Sequence, residues 1–425
     1  MSKHHHASPV LVNIRLELIN KVQCAAMSST YNILMYSHDT YGLGHIRRTM
    51  AIARHLSGPE VNILILTGSP IAGRFPIPYG VDFVRIPGMI KQSNTVYIPH
   101  SIKVNPQKAL DIRQEIITAT AKSFDPDLFI VDKVPIGLKG EVLPVLQWFK
   151  TSRPATKVIL GMRDILDDAA STRAEWDEKK YFQVLDDLYS EIWIYGEETF
   201  YNPIIEYGLP NSISQKCIFT GYIPRQTPNR PITLRQLLNG NGNCDSEKLV
   251  VVTAGGGGDG YQMLDTYLSM VEQHPEVPYR TYMISGPFVP QKLQDSLAKR
   301  AKKNGVIFAT FHKRLEKIMA AADLVVSMGG YNTVCEILSL KKPSLIIPRE
   351  SPRLEQLIRA RVLQSAGLAD FIKWDHLSTD TLQQKIYSML EDSSMYEKNI
   401  HDFEMTGLDI IRSRLTEFKG DTPDA

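Results

Sequence analysis

One pattern recurs along the chain and narrows its fold more than any other feature. A short, nearly continuous run of Val, Ile and Leu is followed by a polar or glycine-rich break and then by apolar residues at helical spacing. The runs lie at 32–37 (NILMYS), 61–68 (VNILILTG), 81–87 (VDFVRIP), 126–133 (PDLFIVDK), 156–164 (TKVILGMRD), 191–196 (EIWIYG) and 216–222 (KCIFTGY). A strand apolar on both sides is a strand buried on both faces, which is the condition of a parallel sheet covered by helices. Residues 46–56 and 106–124 read as two of those helices. After a Pro-, Asn- and Gly-rich stretch at 227–246 the pattern restarts, at 248–257 (KLVVVTAGGG), 279–286 (YRTYMISG), 306–311 (VIFATF), 323–330 (DLVVSMGG) and 343–349 (PSLIIPR).

The pattern predicts an α/β protein of two Rossmann-like, doubly wound parallel-sheet domains, residues 30–226 and 247–425, joined by a linker at 227–246. The last helix is free in this scheme to return to the first domain. Ligands of such sheets sit outside the carboxyl ends of the strands, so two facing domains place the chemistry in the cleft between them.

Length agrees, because 425 residues exceed the ~250–300 at which one core stops growing. The 48 basic residues nearly balance the 46 acidic ones, a net charge of +2, which removes any global nucleic-acid signature. Cys24, Cys217, Cys244 and Cys335 are widely separated, without zinc spacing, and read as free thiols of a reducing cytosol. No apolar run approaches the ~20 residues of a membrane span. Residues 1–29 read as an extension outside the fold: MSKHHHASPV resembles vector-derived sequence, and Met27 is a plausible start. A membrane-surface helix there is the weaker alternative.

Three glycine-rich turns follow predicted strands. The first, SHDTYGLGHIRR (37–48), has Gly42, Gly44 and His45 but neither a third spaced glycine nor a Gly-Lys-Ser. The second, TAGGGGDG (253–260), places Gly255, Gly256, Gly257, Gly258 and Gly260 before a helix starting near Tyr261. Amides of such a loop approach phosphate oxygens closely, and the helix dipole favours their charge. The third ends at Gly329 and Gly330, before a helix capped near Asn332 or Thr333 that carries Glu336. That carboxylate can accept from ribose hydroxyls, or it can be a solvated first-turn Glu complementing the dipole. Glu355 and Gln356 open a further helix and offer a carboxylate and an amide to sugar hydroxyls. In the first half, Asp132-Lys133 and Arg163-Asp164 end predicted strands and point at the expected cleft, as a general base and its neighbours or as capping and ion-paired groups. The basic, apolar stretch 86–103 reads as an ordinary surface loop, with an acceptor lid or a membrane-facing lip as its sharper alternatives.

Residues 329–369 carry GG-x-x-T-V-x-E, two spaced prolines, the polar pair Glu355-Gln356 and a closing A-x-x-L-x-x-x-G-x-A. This layout resembles the nucleotide-sugar domain of the GT-B glycosyltransferases, nearest to family 28, the family of the lipid I N-acetylglucosaminyltransferase. SHDTYGLGHIRR resembles a less-characterised bacterial branch of glycosyltransferases. The resemblance implies a ribose contact at Glu336, donor-sugar contacts at Glu355 and Gln356, and a nucleobase facing the backbone near Phe311. It implies a diphosphate cradled by Gly255–Gly258, Gly329 and Gly330, with Gly44 opposite. The family often has Gln-Gln where this chain has Glu355-Gln356, which bears on the identity of the sugar.

The expectation is therefore a GT-B transferase that moves a sugar from a nucleoside diphosphate, a UDP-sugar such as UDP-GlcNAc, to an acceptor hydroxyl. Catalysis is expected to invert the anomeric carbon without metal or cofactor, with His45 as base and Asp39 or Asp132 as rivals. Lys133, Arg163 and Asp164 are placed on the acceptor side. The acceptor is a lipid, a polysaccharide precursor or a small metabolite, and the protein is expected in the cytoplasm, with peripheral contact at the inner face of the membrane. An isomerase like the UDP-GlcNAc 2-epimerases and a non-catalytic nucleotide-sugar-binding protein are the rival readings.

Overall fold

A computed structural model describes residues 30–38, 44–74, 76–92, 96–233, 236, 247–256 and 258–420. The extension 1–29, Asp39, Gly257 and most of the second half of the linker lie outside the described residues.

The first domain holds β1 (Tyr31–Ser37), β2 (Val61–Thr67), β3 (Val81–Arg85), a hairpin of β4 (Met89–Lys91) and β5 (Tyr97–Pro99), and then β6 (Leu128–Asp132), β7 (Lys157–Arg163), β8 (Glu191–Tyr195) and β9 (Cys217–Phe219). Seven of these form one parallel sheet of order β3-β2-β1-β6-β7-β8-β9. The second domain repeats the plan with β10 (Lys248–Thr253), β11 (Tyr279–Ile284), β12 (Ile307–Ala309), β13 (Leu324–Ser327), β14 (Ser344–Ile346) and β15 (Asp370–Phe371), in the order β12-β11-β10-β13-β14-β15. Both sheets reverse their winding once, between β1 and β6 and between β10 and β13. Those switch points are where open α/β sheets leave a crevice for ligands.

Five helices and the chain's last one matter for the site: α1 (Gly44–Leu56), α2 (Pro106–Phe124), α3 (Tyr261–Gln273), α4 (Tyr331–Ser339), α5 (Glu355–Ser365) and α6 (Gly407–Gly420). Local chemistry explains their bounds. Before α2, the Asn105 side chain accepts from Lys108 N at 2.7 Å and Pro106 fills the first helical position, where its missing N–H costs nothing. Gly330, in extended conformation, precedes α4, so Asn332 and Thr333 fall inside the helix rather than at its cap. The stretch 86–103 contains the β4–β5 hairpin instead of an irregular loop. Met89 anchors it by packing with Ala109 and Leu138.

The domains share apolar surface. Tyr331 and Cys335 of α4 pack with Ile46, Met50 and Tyr222 of the first domain, and Tyr222 stacks on Tyr331 at 5.8 Å. Helix α6 crosses back to the first domain and buries Ile411, Leu415 and Phe418 in that same core. At the crossing Gly407 N donates to Tyr222 O at 3.2 Å, and Thr406 Oγ1 donates to Thr220 O at 3.0 Å. A Cβ on Gly407 would lie 2.6 Å from Tyr222 O, so only glycine lets these backbones lie side by side.

Candidate active site between the two domains

The first wall is built at the β1/β6 switch point. His45 sits in the first turn of α1 and Asp132 ends β6, and the strand register brings them together: His45 Nδ1 lies 2.5 Å from Asp132 Oδ2. Arg48, one turn along α1 and 1% exposed, donates through Nε and Nη2 to Asp132 Oδ1. Its guanidinium rests against the rings of Tyr195 and, from the second domain, Tyr331.

Burial alone would raise the Asp132 pKa, but Arg48 and His45 outweigh it and hold the carboxyl well below the ordinary range. Burial acts the other way on His45 and, against the pull of Asp132, lowers the imidazole to about 4. The anion beside Nδ1 assigns the ring proton there and leaves Nε2 free to accept one. His38, which ends the first apolar run, is buried beside this pair with its ring edge-on to His45 at 5.8 Å. Among the described residues its Nδ1 has no hydrogen-bond partner.

The second wall is built at the β10/β13 switch point. Thr253 and Ser327 are register partners, and each hydroxyl accepts from the amide two residues on, Gly255 N at 3.2 Å and Gly329 N at 3.3 Å. Gly255 (φ 63°) and Gly329 (φ 69°) are left-handed, a conformation that glycine alone adopts freely. Gly256 and Gly258 continue the first of these turns toward α3. Gly286 underlies them: at φ 83°, a Cβ there would meet Gly255 O at 2.5 Å and Gly256 C at 2.6 Å. Nothing in the sequence beyond a strand ending in Ser-Gly-Pro marked Gly286.

The walls meet where the two helices begin. A Cβ on Gly44 would stand 2.1 Å from Asn332 Nδ2, so the N-terminal turns of α1 and α4 face each other at contact distance. Arg225, on the segment leaving the first domain, donates from Nη2 to Asn332 Oδ1 at 2.5 Å. Its Nε and Nη1 are buried without a hydrogen-bond partner among the described residues. Two helix N-termini and a buried guanidinium make this the most anion-seeking point of the cleft. Arg225 carries no motif that would have singled it out.

The remaining candidates fall around this point. Glu336 is bound across the gap by Arg47 Nη1 at 3.1 Å. Glu355 is clamped by Arg163 Nη2 and Arg349 Nη2, both at 3.1 Å, which outweigh the upward push of burial and lower its carboxyl to about 2. Gln356 accepts from Arg349 N at 3.1 Å. Phe311 is 53% exposed just past β12. Lys133 follows Asp132 and lies within the electrostatic reach of Arg163 and Glu355. Asp164 differs from its expected acceptor-side place. It is fully buried, accepts from Tyr222 Oη at 2.6 Å and lies 3.8 Å from Arg359 Nη2, so it offers no surface to an acceptor. Arg359 also donates to Gly329 O and Ile165 O, which makes the Asp164–Arg359 pair a rivet between domains.

Residues 250–412 match the sequence model of the Glycosyltransferase family 28 C-terminal domain. That stretch of the second domain is similar to the C-terminal domain of the family 28 glycosyltransferases. Among curated proteins, the UDP-N-acetylglucosamine–N-acetylmuramyl-(pentapeptide) pyrophosphoryl-undecaprenol N-acetylglucosamine transferase of Geobacillus kaustophilus is 36% identical over 95 residues, 22% of this chain and 27% of that protein. The chain therefore spans about a quarter of the length of that relative. Among solved structures, MurG of Acinetobacter baumannii superposes with a TM-score of 0.56 at 14% identity, covering 91% of this chain and 99% of that one. A protein of Listeria monocytogenes assigned as a UDP-N-acetylglucosamine 2-epimerase superposes with 0.61 at 12% identity, covering 93% and 98%. The fold is GT-B, and transferases and the epimerase share it.

Proposed function

We propose that the protein is a GT-B glycosyltransferase that moves a sugar from a UDP-sugar to an acceptor hydroxyl with inversion. One observation carries this reading: the His45 imidazole, held at Nδ1 by the Asp132 carboxylate at 2.5 Å, stands across the cleft from a glycine loop and a helix N-terminus. His45 Nε2 takes the proton of the acceptor hydroxyl while that oxygen attacks the anomeric carbon. The bond to the diphosphate oxygen breaks with its electron pair, and the resulting imidazolium is stabilised by anionic Asp132. Loop amides, the start of α4 and Arg225 meet the charge that grows on the diphosphate, with groups of the chain itself and no cofactor. Asp132, tied to Arg48, serves as the group that orients the base. Asp39, the other rival, lies outside the described residues.

Glu336 takes the ribose by exchanging Arg47 for hydroxyls, Glu355 and Gln356 bound the donor sugar, and the backbone near Phe311 faces the base. UDP-GlcNAc is the first donor to try, because the curated relatives are named for it. Their name also points to a lipid-linked acceptor. Ile77, Tyr79, Val96, Ile102 and Val104, exposed apolar residues that all lie on the first domain, favour work at the inner face of the membrane. The epimerase reading stays in play through the shared fold. Incubation with a panel of nucleotide sugars, with and without lipid or polyol extracts and with EDTA present, separates the two. Acceptor-dependent UDP release that survives EDTA supports the transferase. An altered sugar still joined to UDP would replace it with the epimerase.

A further inference from the structure

Charge on the first domain's rim is not balanced by the roles assigned so far. Lys133 leaves the end of β6 at φ 73°, a left-handed conformation that non-glycine residues seldom adopt and that fixes where its side chain departs. Its amide is secured by Gly161 O at 2.8 Å. Among the described residues its ammonium pairs with no carboxylate. Burial and the neighbouring Arg163 press it down to about 8, as expected for a cation crowded by another cation. Arg163, on the adjacent strand β7, gives Nη2 to Glu355 and keeps a buried Nε with no hydrogen-bond partner among the described residues.

Apart from Arg225, assigned above to the diphosphate, the neighbouring cations are matched: Arg48 by Asp132, Arg47 by Glu336, Arg359 by Asp164, and Arg353 by Glu175. Lys133, Arg163 and Arg349 have only Glu355, plus Asp259 at 3.5 Å from Arg349. Three positive charges against two negative ones leave a surplus of one. The donor's diphosphate does not answer for it, since the glycine loop, α4 and Arg225 already provide for that group elsewhere in the cleft.

We infer that Lys133 and Arg163 form a site for a second substrate oxyanion, separate from the donor's diphosphate and seated beside Glu355 where the sugar is transferred. This rests on the transferase reading and adds the substrate's charge to it. The oxyanion has two possible sources, a carboxylate on the donor sugar, as in a uronic acid, or a phosphate or carboxylate on the acceptor. The presence of Glu355, where the family often has Gln, then acquires a physical reason. It offsets enough of the arginine charge for a single oxyanion to complete the balance.

Calorimetric titration of the full chain tests both sources with matched probes. UDP-glucuronate against UDP-glucose reads the donor side; glucose 6-phosphate against glucose, each added to UDP-saturated protein, reads the acceptor side. The expected result is that the anionic member of one pair binds about tenfold or more tightly than its neutral partner, the scale of a charge-assisted hydrogen bond. Lys133→Met should erase that preference and Lys133→Arg should keep most of it, with UDP affinity unchanged in both. Equal binding within both pairs in the unaltered protein overturns the inference, whatever the variants do. So does a Lys133→Met loss of the same size for UDP alone, which would assign Lys133 to the diphosphate. Absence of any UDP binding would sink the transferase reading, and this one with it.

Discussion

His45 owes its chemistry to what surrounds it. Near pH 7 an ordinary imidazole is partly protonated, whereas burial lowers His45 to about 4 and keeps Nε2 unprotonated across the physiological range. The base form exists above the pKa, so a depressed pKa moves the acid limb of the pH–rate profile downward. A profile of kcat/KM against pH should therefore lose activity near 4 rather than near the ordinary ~6.5 of histidine; a limb at the ordinary value would count against His45 as the base. His45→Ala should reduce kcat by roughly 10²–10⁴-fold while the dissociation constant for UDP, measured by calorimetry, stays put. Full turnover in that variant would send the search to Asp39. Asp132 cannot inherit the role cheaply, because Arg48 stabilises its anion and so weakens it as a base.

The two glycine turns at the ends of β10 and β13 hold their shape through Thr253 and Ser327, and Gly286 leaves the space they occupy. Gly286→Ala meets both a left-handed backbone and backbone atoms that cannot swing aside. It should cost about 1–3 kcal/mol in chemical denaturation and weaken UDP binding, whereas the same change at Gly305, which has open space but also a positive φ, should cost stability without touching UDP. What the sequence made legible divides along similar lines. Helix α2 could be read to its bounds because Asn105, Pro106 and the spacing of its apolar face are local signals. Asp132 could be located because it ends an apolar strand, and His45 because it opens the helix that follows a glycine turn. Their partnership with Arg48 could not, nor could Arg47 with Glu336 or Arg163 with Glu355, since partners far apart in the chain leave no spacing to read. Asp164 looked like its neighbours in sequence and is set apart only by being fully enclosed. Gly286 and Arg225 act by shape and burial, which one-dimensional pattern does not carry.

Helix α6 makes the first domain's core depend on the far end of the chain. Ile411 is fully buried among first-domain side chains, so Ile411→Ala should cost about 2–5 kcal/mol and lower the midpoint of a denaturant titration. A change within a few tenths of a kcal/mol would mean that α6 is a passive appendage. The return of α6 has a mechanical side as well. The chain passes between domains twice, at 220–226 and again at 403–407, and the two passages are bonded to each other through Tyr222–Gly407 and Thr220–Thr406. Like the spine of a book, this doubled strip ties the two covers together along one line. Arg47–Glu336 and Arg163–Glu355 lie on the other side of the cleft from that spine, so the two covers are pinned at the pages as well as at the binding.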